Sequence, residues 1–252
     1  AGHPYHWPTI GSMADLSAAS LEDVTSFFRT YYAPNNATLS IAGDFRPDSV
    51  RAWIERYFAG IPRGPALPPP PVVPAVTVAR DTFLVLEDKV QLPRVYQAWH
   101  TVKAFHPDDA PLVLLADILT SGKTSRLYRT LVYDRQLAQD VRASQDGARL
   151  DGDFTIIVTP RPNVAPSEVA AIIDAELRRI ADSGVEAREV ERARNSIRAD
   201  FLDNIAGVLG KADQLATYNY YVGNPDFVRQ DAARFDAVTA GGVRRVARED
   251  LP

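Results

Sequence analysis

Apolar residues recur along the chain at two spacings, and the change from one to the other marks its elements. After Ser20, residues Val24, Phe27, Phe28, Tyr31 and Tyr32 stand at i, i+3, i+4, i+7 and i+8, one face of a helix. Ser20 is placed to cap it, with Asp23 three residues on as the partner of a capping box. Pro34-Asn35-Asn36 ends the pattern, and Ala37 to Gly43 alternates as a strand with Leu39 and Ile41 on one face. Pro47 opens a second helix carrying Val50, Trp53, Ile54, Tyr57 and Phe58. Further on, Val76–Leu86 and Pro93–Thr101 read as strands joined by the polar turn Glu87-Asp88-Lys89. Asp108 or Asp109 is placed to cap a helix with Leu112, Leu115, Ala116 and Leu119, and a second helix from Thr124 carries Leu127, Leu131 and Val132. Strands over Gln139–Ser144 and Phe154–Thr159 come next, joined through Asp146-Gly147. Two more helices complete the pattern, Pro166–Ala181 closed by Gly184, then Glu186 to about Ile205.

Grouped strands and grouped helices place the chain in the α+β class. The expected architecture is a two-layer α/β sandwich, an antiparallel or mixed sheet with helices packed on one face. Seven of the nineteen prolines lie between Ile61 and Pro74, and such a run favours an extended, semi-rigid spacer. The division expected is therefore residues 1–60, a linker at 61–74, and 75–252. One strand and two helices give the first piece little to bury against, so it reads as the tail of a domain. An internal echo links the pieces. Ser20-Leu-Glu-Asp-Val24…Phe28…Tyr32-Ala-Pro is matched by Thr239-Ala-Gly-Gly-Val243…Ala247…Leu251-Pro252. Each is a polar cap, then apolar positions four apart, then proline. A strand comes after the first copy and none after the second, so residues 75–252 are expected to lack a last strand, leaving an open sheet edge that Thr38–Gly43 is able to cover.

Composition narrows the function. With 252 residues, 46% hydrophobic and 24% charged, the chain is ordinary globular protein. A net charge of −4 gives no global attraction to nucleic acid. The absence of cysteine rules out disulfides and thiolate zinc. No apolar run approaches a membrane span, and the opening Ala-Gly-His-Pro-Tyr-His-Trp-Pro does not read as a signal peptide. Arginines outnumber lysines 24 to 4, as in GC-rich bacterial genomes.

Ser121-Gly-Lys-Thr124 resembles the end of a phosphate-binding loop, but Asp117 stands where its first glycine is required. It reads as a helix–helix turn. His3, His6, His100 and His106 read as loop or surface residues, and neither H-E-x-x-H nor H-x-x-E-H occurs. No serine lies in a nucleophile elbow. Asp108-Asp109 and Glu186/Glu189 read as a cap and a solvated face. Arg178, Arg179, Arg188, Arg192, Arg194 and Arg198 alternate with glutamates as an ion-paired surface. Residue chemistry supplies no complete active site: no catalytic and no metal-ligating residues are expected in this chain.

Several segments together resemble the insulinase/pitrilysin family of zinc metallopeptidases, which carry an inverted H-x-x-E-H motif. They are His3-Pro-Tyr-His-Trp-Pro-Thr-Ile-Gly11, Ser20-Leu-Glu-Asp-Val24, Tyr31-Tyr-Ala-Pro-Asn-Asn-Ala-Thr-Leu39, Ala42-Gly-Asp44, Gly122-Lys-Thr-Ser-Arg-Leu-Tyr128 and Arg135-Gln-Leu-Ala138. The resemblance implies clamshell halves built from paired α/β domains, with residues 1–60 the end of one and 75–252 most of the next, a domain without zinc. It places the zinc ligands and catalytic glutamate upstream of His3, so zinc is expected in the intact enzyme and not in this portion. Many members use an arginine and, seven residues on, a tyrosine to hold substrate. Aligned on Arg135-Gln-Leu-Ala138, those positions are Val132 and Gln139, and neither matches. Gln139 stays a candidate peptide contact through its amide, while Arg126 and Tyr133 share the spacing but not the position.

The function implied is that of a substrate-chamber portion of a zinc endopeptidase acting on peptides or unfolded polypeptides. Alternatively, the chain is a non-catalytic scaffold or processing-complex subunit of the same fold. Expected partners are a polypeptide substrate, the zinc-binding portion, and a second half or homologous subunit, with no nucleic acid and no membrane span. The family resemblance favours the periplasm over the cytoplasm.

Overall fold

The computed structural model describes residues 3–69, 72, 73, 76, 78 and 80–251. In chain order the helices before the proline run are α1 (Met13–Ala18), α2 (Leu21–Tyr31) and α3 (Pro47–Phe58). After it come β1 (Val95–Thr101), α4 (Asp109–Thr120), β2 (Ala138–Gly147), β3 (Gly152–Pro160), α5 (Pro166–Ser183), α6 (Ala187–Ala206), α7 (Val208–Val222), α8 (Val228–Asp236) and α9 (Ala240–Glu249). The architecture is α+β, with an antiparallel sheet that has three strands among the described residues, ordered β1-β3-β2.

Register sorts the sheet into two faces. Val95–Val158–Val141, Gln97–Ile156–Ala143 and Trp99–Phe154–Gln145 lie in rows on one face. There Phe154, Ile156 and Val158 join one core with Leu112, Leu115, Ile118 and Leu119 of α4, Ile173 and Ile180 of α5, and Val243 and Val246 of α9. Removing a large side chain from such a core costs about 2–5 kcal/mol, because the surroundings relax only partly. Tyr96–Ile157–Arg142, Ala98–Thr155–Ser144 and His100–Asp153–Asp146 form the rows of the other face.

Polar pins hold the helices to one another. Arg126 donates to Glu189 at 2.6 and 2.7 Å and to Glu176 at 3.1 Å, tying the start of the helix that comes after α4 to α5 and α6. Arg234 on α8 reaches Asp231 at 2.6 Å and Asp109 at 3.2 Å, and Tyr218 donates to Asp231 at 2.8 Å. Burial pushes the Asp109 carboxyl above its ordinary value against the pull of Arg234, and burial together with Asp231 does the same to the Tyr218 phenol. Neither Asp108 nor Asp109 caps α4 through its side chain, contrary to expectation. Arg245 of α9 captures the Asp108 carboxylate and holds it below its ordinary range, while Asp109 accepts from the Phe105 backbone N–H.

The first 60 residues keep their helices but not their strand. The Ser20–Asp23 capping box forms as expected. The two asparagines after Pro34 have separate uses. Asn36 donates to Tyr31 O at 2.8 Å, satisfying a carbonyl at the end of α2. Asn35 both donates to Pro65 O and accepts from Gly64 N–H, each at 2.9 Å, and holds the start of the proline stretch. Gly64 is required there, since a Cβ in its place would collide with Ala33 Cβ. The aromatic face of α2 stays exposed, its rings stacking on one another, with Phe28 and Tyr32 centroids 4.5 Å apart. Residues 37–42 form no ladder, and Thr38 meets the rest of the chain through Asn219, which donates to its Oγ1 at 2.9 Å. A strand needs a neighbour for its backbone groups, and no described residue provides one.

The strand expected over Val76–Leu86 is also absent among its described residues, where Phe83, Leu84, Val85 and Leu86 are exposed. Thr77 and Ala79 lie outside the described residues, as do Pro70, Pro71 and Pro74 of the linker and Pro252 of the echo. The helix expected from Thr124 starts at Arg126 and widens into a π-helix over Tyr128–Asp134.

Candidate functional site

The junction between that π-helix and β2 carries the positions compared with the family's substrate-holding pair. Arg135 N–H reaches back five residues to Thr130 O at 3.1 Å, and Leu137 N–H reaches Leu131 O at 2.8 Å. Gln136 between them adopts φ 51°, a left-handed conformation uncommon for a residue with a side chain. This tight reversal delivers Gln139 to the start of an edge strand. There the ladder slips: Ala138 pairs with Pro160 and Asp140 with Thr159, so Gln139 is the extra residue of a β-bulge. A bulge re-aims the side chain it carries, and Gln139 is exposed. Val132 sits half-buried in the π-helix, packed against the core, and offers no donor.

The open sheet face supplies further polar groups at the same end. Tyr96 and Arg142 flank Ile157 in one row, and Arg94 donates to the Tyr96 hydroxyl at 3.4 Å. No sequence motif singles out Tyr96 or Arg142, although the alternation of β1 already sets Tyr96 apart from Val95 and Gln97. Arg126, which shares the family spacing with Tyr133, is consumed by Glu176 and Glu189, and Tyr133 is exposed.

The other sequence candidates are structural. Ser121–Thr124 is the turn after α4, with Gly122 at φ 74° and Thr124 accepting from Arg192 at 2.8 Å. His3 accepts from Tyr5 N–H at 3.1 Å and lies 3.6 Å from Asp151, His106 accepts from Asp108 N–H, and His100 stands on the open sheet face. Among the described residues no three His, Cys, Asp or Glu side chains come together as metal donors, so the residues present do not fit a zinc ion.

Residues 95–251 thus form a two-layer α+β arrangement with one helix-covered and one open sheet face. The chain belongs to the insulinase-type peptidase family: the family model described as "Peptidase M16 inactive domain" matches residues 18–197. Zinc protease PqqE of Helicobacter pylori is 28% identical over 90% of this chain and 52% of its own length. The probable mitochondrial-processing peptidase subunit beta of Arabidopsis thaliana is 22% identical over 95% of this chain and 46% of its own length. The chain therefore spans about half the length of the curated relatives it matches. A protease structure from Helicobacter pylori superposes with a TM-score of 0.89 at 26% identity, over 99% of this chain and 60% of that one. A peptidase M16 inactive domain from Pseudomonas fluorescens shares the fold with a TM-score of 0.84 at 19% identity, over 99% of this chain and 59% of that one. No helix among the described residues is long and apolar enough to cross a membrane.

Proposed function

We propose that this chain forms the non-catalytic half of a substrate chamber in a zinc-dependent endopeptidase, closing over an extended polypeptide bound opposite a zinc-bearing domain. The observation that carries this reading is the family match over 18–197, in a sequence without H-x-x-E-H. In this reading residues 1–60 complete a preceding domain and 75–252 form the chamber domain. The open sheet face and the bulge at Gln139 meet the peptide, with the Gln139 amide donating to or accepting from its backbone. A zinc ion held by a partner domain would supply Lewis-acid chemistry; this chain contributes enclosure and orientation.

The test is hydrolysis of quenched-fluorescence casein. The 252-residue chain supplied with zinc is expected to show no turnover. Full-length protein that includes a zinc-bearing domain is expected to cleave, and Gln139→Ala there to raise KM about three- to tenfold, the loss of one hydrogen bond of about 1 kcal/mol, with bound zinc unchanged. Turnover by the isolated chain overturns the reading. The replacement of the family's arginine and tyrosine by Val132 and Gln139 favours a second reading, a non-catalytic scaffold subunit. Full-length protein that binds no zinc and cleaves nothing selects it.

A further inference from the structure

Charge is spread unevenly over the open sheet face. The chain has a net charge of −4, yet arginines gather where β2 begins. Arg142 is exposed in the row Tyr96–Ile157–Arg142, and the exposed Arg94 donates to the Tyr96 hydroxyl at 3.4 Å. Arg161 stands beside the bulge at Gln139. Its backbone N–H reaches Leu137 O at 2.8 Å, and its side-chain Nε reaches Ala138 O at 3.3 Å. Among the described residues, Arg94, Arg142 and Arg161 have no carboxylate within ion-pair distance.

The acids at this corner do not cancel them. Asp134 is taken by Arg129 at 3.4 Å, and Asp140 is a single half-buried carboxylate beside Gln139. The opposite sign collects two rows on, at His100–Asp153–Asp146, four residues along β2 from Arg142 and about 13 Å of strand away. There the exposed Asp146 accepts from Ser144 at 2.7 Å and the exposed Asp153 from Thr155 at 2.8 Å. Exposed charges separated by more than a Debye length of about 8 Å act as separate sites. A cluster of one sign attracts counter-charged groups locally, even on a protein whose net charge repels them.

We propose that this corner selects polypeptides bearing Asp or Glu beside the segment held at Gln139, with Arg161 and Arg142 pairing their carboxylates and Arg94 adding charge from β1. The proposal rests on the chamber reading and narrows its substrate to chains rich in acidic side chains. Guanidinium groups suit this role because their paired N–H groups match the two oxygens of a carboxylate. Arg161 is fixed in advance: its Nε is spent on Ala138 O, and its two terminal nitrogens have no hydrogen-bond partner among the described residues. Gln139 and Arg142 are three residues apart, about 10 Å of strand. A peptide whose backbone meets the Gln139 amide therefore presents one side chain at Arg161 and another, about three residues on, at Arg142.

The experiment is fluorescence anisotropy on the 252-residue chain, with far-UV circular dichroism as the folding control. The probes are a fluorescein-labelled peptide of alternating Ser and Glu and the same peptide with Gln for every Glu. The Glu peptide is expected to bind about tenfold more tightly at low salt, an advantage lost at about 0.5 M salt. Arg142→Gln/Arg161→Gln is expected to bring the Glu peptide down to the affinity of the Gln peptide, which itself stays unchanged. Arg142→Lys/Arg161→Lys keeps the charge and is expected to retain a preference of about threefold. Arg188→Gln, an exposed arginine paired with Glu186, is expected to change nothing. Equal binding of the two peptides, or binding of neither, overturns the proposal. So does a preference that survives the Gln pair, or one that the Lys pair or Arg188→Gln abolishes. Casein cleavage by full-length protein is read separately: cleavage without a Glu preference removes this proposal and leaves the chamber reading, and a Glu preference without cleavage does the reverse.

Discussion

Helices α2 and α9 share one local pattern and end in opposite environments. Both begin at a hydroxyl cap with the same hydrogen bond, and both repeat apolar residues every fourth position. Val243, Ala247 and Leu251 are 0%, 1% and 3% exposed, whereas Val24, Phe28 and Tyr32 are 46%, 51% and 70% exposed. The difference lies in the layer beneath. Helix α9 packs on α4 and α5, which rest on the sheet, and α2 packs on no strand among the described residues with comparable contact. Caps and periodicity are enough to shape a helix, but the roughly 1.5–3 kcal/mol available from each large apolar side chain is realised only where another layer receives it.

The sharpest way to break this comparison is to place a charge at equivalent positions. Val243→Asp buries a carboxylate without a partner and is expected to cost more than about 4 kcal/mol, enough to unfold the sheet domain in urea. Val24→Asp, on the exposed face, is expected to stay within about 0.5 kcal/mol. Equal losses would show that α2 is covered after all. Next in size is Arg126→Ala, which leaves Glu189 without its arginine while Glu176 keeps Arg179, and is expected to cost about 2–3 kcal/mol. Arg56→Ala, whose guanidinium lies over the exposed Tyr57 ring, should leave the transition unmoved.

Loss of the caps separates local from global stability. Thr239→Ala is expected to lower global stability by about 1 kcal/mol. Ser20→Ala removes the same bond from a helix outside the core, so faster amide exchange at Asp23 with an unshifted urea midpoint is the expected result. The smallest effect concerns pH. Burial, and then the charge of Asp108, raises the Asp250 carboxyl above its ordinary value. A raised carboxyl stabilises the fold below its unfolded value and loses that contribution as pH rises through the folded value. Asp250→Asn is therefore expected to raise Tm slightly at pH 7, with the gain vanishing below about pH 4. A gain that persists in acid would assign the effect to packing.

Polar caps and spacing make the helices and the β2–β3 hairpin legible, since each depends on residues within one or two turns of chain. Ser20 with Asp23 and Gly184 after α5 act locally, whereas Glu186 and Glu189, expected as a solvated face, form a capping box on α6, and the hairpin turns at 148–151 because Asp146 and Gly147, expected as the connection, pair with Asp153 and Gly152. The alternation of Leu39 and Ile41 is equally plain and predicts a strand that does not form, because pairing requires a partner that no local pattern supplies. The roles of Asp108 and Asp109 escape the sequence for a related reason: the arginines that claim them, Arg245 and Arg234, lie 137 and 125 residues away. Gln139 is reached by its alignment, but the π-helix and the bulge that expose it arise from how the junction closes on the core. Short-range order is set by neighbours along the chain; which faces are covered, which carboxylates are ion-paired and which strands pair depend on groups far apart in sequence meeting in space.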